Sequence, residues 1–146
     1  VIAKGVSNNQ AVNPINIMEI LKQIPFNPKQ AVIFDIDDTL IDSRTHTIIT
    51  PVYQLYKYCQ NKGYNIYIIT ARPRIPYGVQ LTLNQLYSLG ITGFKNIAFR
   101  PPLELDVPGY KLKARKAISD EVIMSIGDKK WDIGEAGGYG ILVTKK

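Results

Sequence analysis

Apolar residues along the chain fall into two alternating patterns. Runs at residues 31–34, 64–69, 96–99 and 122–126 are short, rich in Val and Ile, and each is followed by a polar or turn residue. A fifth run lies at 140–143. Continuous runs of this length suit parallel strands covered on both faces, because neither side of such a strand meets water. Between the runs the apolar spacing widens. Val52, Leu55, Tyr56 and Cys59 form one set, and Leu81, Leu83, Leu86 and Leu89 form another, each placing an apolar stripe on a helix. A further stripe, Ile15, Ile17, Met18, Ile20, Leu21 and Ile24, follows Asn13-Pro14 and stops before Pro25. It predicts an amphipathic helix over 14–24 that covers one face of a sheet. Residues 1–13 show no period and are expected to form a loosely held arm.

Strand and helix alternate, which predicts an α/β fold: a doubly wound, Rossmann-like parallel sheet of five strands flanked by helices and joined by right-handed crossovers. At 146 residues the chain suits one domain spanning 1–146. Ligands in open sheets of this kind bind beyond the carboxyl ends of the strands. Chemistry is therefore expected at Asp35 to Thr39, Thr70 to Arg72, Arg100, and Gly127 to Asp132.

Charge changes this picture only slightly. Eighteen Lys and Arg against twelve Asp and Glu leave a net charge of +6. That raises anion concentration at the surface and fits a phosphorylated ligand, although each lysine alone is accounted for by solvation of the surface. A single cysteine, Cys59, cannot form an intramolecular disulfide and reads as a structural thiol. No apolar stretch approaches the ~20 residues that span a bilayer, so no membrane segment is expected. No basic start leads into an apolar run, and the first residue is not Met; a trimmed chain without a secretory signal, in the cytoplasm, is the expectation.

The first strand runs directly into Asp35-Ile36-Asp37-Asp38-Thr39. Carboxylates packed so closely raise one another's pKa unless a cation holds them, and Mg²⁺, which prefers hard oxygen ligands, is the natural partner. Asp35 and Asp37 point the same way if the strand stays extended; a turn there would still leave them neighbours. The bland alternative is an acidic turn in which Asp38 or Thr39 caps the helix that follows. The second strand leads to Thr70, then Ala71 and Arg72, a hydroxyl, a backbone N–H and a cation able to hold phosphoryl oxygens. The fourth opens onto Gly127-Asp128-Lys129-Lys130-Trp131-Asp132, where Asp128 would face Asp35 if the two strands are adjacent. Ahead of that strand a helix is expected from Gly109, with Lys111 and Arg115 on one face and Lys113 and Lys116 on a solvated one.

Asp-x-Asp-x-Thr, then Thr, then Lys, then Gly-Asp-x-x-x-Asp, in this order over residues 33–133, resembles the haloacid dehalogenase (HAD) superfamily of phosphohydrolases. Within it, Thr-Leu-Asn-Gln-Leu-Tyr-Ser-Leu-Gly, Tyr110-Lys111 with Arg115, and Gly-Asp near a Trp are similar to the plant and bacterial class III acid phosphatases. Their Gly-Asp-Gln-Trp-Ser-Asp reads Gly-Asp-Lys-Lys-Trp-Asp here. The resemblance implies a Mg²⁺-dependent phosphomonoesterase in which Asp35 attacks phosphorus and Asp37 acts as acid and then base. Thr70, Ala71, Arg72 and Lys111 would bind the phosphoryl group, with Lys113 the rival of Lys111. Asp35, the Asp37 carbonyl and Asp128 would hold the metal, with Asp132 an outer or orienting group. The intervals that carry caps in this superfamily, here 42–51 and 100–109, are short, so an open site is expected. It would accept a bulky phosphorylated partner or take a lid from a second copy of the chain. A polynucleotide phosphatase is the alternative, although no stretch interleaves aromatic and basic residues as a stacking platform would. A catalytically silent binding module is a third reading, opposed by the intact acids and lysine.

Overall fold

The computed structural model describes residues 14–143. The arm expected at 1–13 lies outside them. Helix α1 (Pro14–Lys22) precedes strand β1 (Gln30–Phe34), and α2 (Thr50–Lys62) leads to β2 (Asn65–Pro73). Next come α3 (Pro76–Ser88), β3 (Asn96–Arg100), α4 (Val107–Lys116) and β4 (Glu121–Gly127). A single 3-10 turn, Lys130–Asp132, separates β4 from β5 (Tyr139–Leu142).

The five strands form one parallel sheet in the order β3-β2-β1-β4-β5. Successive residues of β1 serve opposite faces, as strand geometry requires. Val32 and Phe34 pack with Ile17 and Leu21 of α1 and with Val52, Leu55, Tyr56 and Cys59 of α2. Ala31 and Ile33 pack with Ile69, Val122 and the α4 residues Tyr110 and Ala114. Cover on both sides explains why the strands are continuously apolar.

The direction in which strands are added reverses at β1: β2 and β3 lie to one side, β4 and β5 to the other. A crevice opens at such a switch point, beyond the carboxyl ends of the two central strands. Among the described residues nothing the size of a cap domain interrupts the elements. The connection after β1 ends where α2 begins at Thr50, and that after β3 where α4 begins at Val107. The former folds back on itself, with Ile41 bridging Ile48 and the Asp42 N–H donating to the Thr47 carbonyl at 2.8 Å. Among the described residues no helix is long and apolar enough to cross a membrane.

Three expectations need correction. No helix follows Asp38 and Thr39 directly, so neither is an N-cap. Asp38 instead adopts a left-handed backbone (φ 58°), open to Asp at modest cost, and its carboxylate accepts from the Ser43 N–H and hydroxyl. Helix α4 starts at Val107, ahead of Gly109, because Asp106 caps it by accepting from the Gly109 N–H at 3.0 Å. On α3, Leu81 is 51 % exposed while Thr82 is buried, a reversal whose cause lies in the site.

Candidate functional site

Asp35 is the first residue past β1, and its N–H donates to the Ile126 carbonyl of β4 at 3.1 Å. This bond carries the central pairing one residue beyond the strand and fixes the carboxylate at the crevice floor. Lys111, on the inner face of α4, reaches it: Nζ donates to Asp35 Oδ1 at 2.9 Å, to Asp132 Oδ1, and to the Ile69 carbonyl at 3.3 Å. All three side chains are buried. Lys113, the rival of Lys111, is exposed and borders a different cavity.

Asp128 follows β4 and completes a group in which one carboxylate oxygen each from Asp35, Asp128 and Asp132 lie within 4.8 Å of one another. Asp132, expected as an outer or orienting group, is one of the three. The 3-10 turn folds it back so that its Oδ2 accepts from the Lys129 N–H at 3.0 Å. Burial pushes the Asp35 carboxyl well above the ordinary carboxylate range; Lys111 opposes the shift, and Asp132 and Asp128 add to it. Burial likewise raises Asp128, with Asp132 contributing. For Lys111, burial alone would favour the neutral amine, but Asp35 and Asp132 outweigh it and the pKa is raised. Three acids around one lysine leave excess negative charge, and an all-oxygen set of this kind suits a hard divalent cation.

Asp37 turns away from that group. Its two oxygens accept from Arg72 Nε at 2.9 Å and Nη2 at 2.8 Å, a bidentate pair. The remaining guanidinium nitrogen, Nη1, donates to Thr82 Oγ1 at 3.1 Å and Gln85 Oε1 at 2.8 Å on α3. This explains the inverted stripe of α3, where a polar pair faces inward because it satisfies Arg72. Hydrophobic periodicity carries no trace of such a pairing.

The phosphate-binding stretch expected after β2 is held from outside. β2 continues past Ile69 to Pro73, so Thr70, Ala71 and Arg72 still belong to the strand. Thr70 is fully buried, its Oγ1 accepting from the Arg72 N–H at 3.1 Å. Tyr110 Oη donates to the Thr70 carbonyl at 2.9 Å and Arg100 Nε to the Ala71 carbonyl at 2.9 Å. The sequence reading missed Tyr110 in this role; its only signal was adjacency to Lys111. Asp35, Asp37, Ala71, Lys111 and Asp128 line one open cleft of about 260 Å³, together with Asp38, Val107, Lys129, Trp131 and Asp132.

A family model described as HAD superfamily, subfamily IIIB (Acid phosphatase) matches residues 41–143. No curated protein matches the chain. The matched span contains Thr70, Ala71, Arg72, Lys111, Asp128 and Asp132 and begins just past Asp35 and Asp37. The bonds from Lys111 to Asp35 and from Arg72 to Asp37 tie those two acids to it.

Proposed function

Because the chain belongs to the subfamily IIIB acid phosphatases of the HAD superfamily, phosphoric monoester hydrolases acting on phosphorylated substrates, we propose that it hydrolyses them through an aspartyl-phosphate on Asp35. The supporting observation is the buried contact of Lys111 with Asp35 and Asp132 at the switch point of the sheet.

In the first step an Asp35 oxygen forms a bond to phosphorus as the ester P–O bond breaks, and Asp37 gives its proton to the departing oxygen. In the second, Asp37 takes a proton from water, the water oxygen attacks phosphorus, and the bond to Asp35 breaks to release phosphate. Splitting the reaction replaces one difficult displacement by two easier ones. Lys111 and the Thr70–Ala71 backbone hold the phosphoryl oxygens, and Arg72 holds Asp37 on the leaving-group side of the cleft. Asp35, Asp128 and Asp132, with the Asp37 carbonyl, are the groups that would hold Mg²⁺, which supplies charge neutralisation between nucleophile and phosphate.

The test is p-nitrophenyl phosphate hydrolysis by the purified chain. Excess EDTA should abolish turnover and added Mg²⁺ restore it. Asp35→Asn should leave none, while Asp37→Asn should slow the reaction by about 10²–10⁴-fold. Undiminished rates in chelator, or a near wild-type Asp35→Asn, overturn the proposal.

A further inference from the structure

The two faces of the sheet are covered unequally. Helices α1, α2 and α3 send Ile17, Leu21, Leu55 and Leu86 into the core on one face. On the other, α4 is the only helix among the described residues that packs down, through Tyr110 and Ala114. Strand order is the cause. From β3 at the edge the chain returns to β4 on the far side of β1, so one helix crosses this face alone. A helix with its side chains is about 10–12 Å wide and neighbouring strands lie about 4.8 Å apart, so one helix roofs little more than two strands.

β3, which pairs only with β2, is left partly open beside α4. Two adjoining cavities of about 300 and 340 Å³ lie there and share Ala98 of β3 with Ala114 and Ala117 at the end of α4. Tyr67, Ile69 and Ile118 extend the first cavity, and Phe99, Pro101 and Tyr110 the second. Volumes of this size are those of small-molecule sites. None of the residues lining either cavity borders the cleft that holds Asp35, so the groove is a separate place on the molecule.

Charge at one end indicates what fits. Arg74 and Lys113 border the second cavity, and among the described residues neither forms an ion pair, whereas Lys111 and Lys116 on the same helix each meet a carboxylate. The Tyr110 hydroxyl feels the same cationic end: burial raises its pKa, and Arg100 and Arg74 oppose the rise. Beyond the first cavity the charges are already matched, because Asp120 accepts from both Tyr67 and Lys95. An apolar trough with unpaired cations at one end only is complementary to an anionic head on an apolar tail.

We propose that the groove between α4 and β3 binds a carboxylate carrying an unbranched apolar tail, its head at Arg74 and Lys113 and its tail along Ala98, Ala114 and Ala117. The inference does not depend on the phosphatase reading.

Calorimetric titration of the chain with octanoate tests it, with acetate and octylammonium as ligands that lack the tail or reverse the head. Octanoate should bind at one saturable site, and both comparison ligands about tenfold or more weakly. Arg74→Gln combined with Lys113→Gln should weaken octanoate about tenfold, as expected for two solvent-exposed charge contacts. Ala117→Leu, which places a side chain in the groove, should weaken it to a similar extent. All three positions are exposed, and thermal melts of the variants should match the parent. No binding, equal affinity for octylammonium or acetate, or octanoate binding unchanged in either variant overturns the proposal; the last would mark adventitious adsorption to a basic surface. Sedimentation velocity on the same samples tests for a rival occupant, and a dimer that Ala117→Leu dissociates would show that a second copy of the chain fills the groove and overturn the proposal. A chain that binds octanoate at this site but hydrolyses no phosphate ester would sink the phosphatase reading alone.

Discussion

Gly127 is the residue at which the site tolerates least. A Cβ there would collide with the Asp132 side chain, meeting its Cβ and carboxylate at once. The end of β4 must therefore lack a side chain for Asp132 to fold back against it and meet Lys111. Gly127→Ala should displace Asp132, weaken divalent-cation binding about 10–100-fold, and destabilise the fold by about 1–3 kcal/mol. Gly78 on α3 is the matching control: an added Cβ meets nothing closer than Ile75 Cβ at 3.9 Å. Gly78→Ala should leave the melting temperature unchanged or raise it slightly, since alanine has less conformational freedom to lose. Calorimetric cation titration and thermal melts of the two variants decide the matter; equal behaviour would refute the close-approach argument. The Gly-Asp pair was legible in the sequence, whereas the return of Asp132 was not, because it depends on a single 3-10 turn that no apolar pattern marks.

At the level of elements, the end of the sheet opposite the cleft depends on one carboxylate. Asp120, just ahead of β4, accepts from Tyr67 Oη at 2.6 Å, Lys95 Nζ at 3.1 Å and Asn65 Nδ2 at 3.4 Å, tying β4 to β2 and the start of β3. The Tyr67 hydroxyl, more than any other group, holds the Asp120 carboxyl below its ordinary range. A depressed folded pKa means that the stabilisation is present above the unfolded value, about 3.9, and is lost as pH falls through the folded one. Asp120→Asn should therefore cost about 1 kcal/mol near neutral pH, and the gap from wild type should close at the acid end of a pH series of urea melts. A gap independent of pH would refute the linkage. Strands were the most readable elements because burial on both faces leaves an unbroken apolar run. Helix α3 was the least, since Leu81 faces solvent and Thr82 and Gln85 face Arg72.

For the whole molecule, the strand order β3-β2-β1-β4-β5 puts the first and last motifs on adjacent strands, although Asp35 and Asp128 are far apart in the chain. Alternation of elements predicted the parallel sheet, and the ordered motifs named the strand ends whose acids and lysine the fold brings together. Which acids group together and which pair with arginine was decided by tertiary contacts that no local pattern encodes. The short fold-back after β1 has a consequence of another kind. Its tip, residues 43–46, is exposed, and its two arms meet where Asp42 and Thr47 share a hydrogen bond of 2.8 Å. A foreign module whose own termini lie close together could be spliced between Arg44 and Thr45 without parting the strands beneath it. Such a chimera should melt within a few degrees of the parent while losing turnover of bulky esters more than of small ones, as the graft overhangs the neighbouring Asp38. A collapse of the melting temperature would show that the fold-back is structural. If it tolerates the graft, the size of accepted substrate becomes a property that can be exchanged at one surface junction while the chemistry below is inherited unchanged.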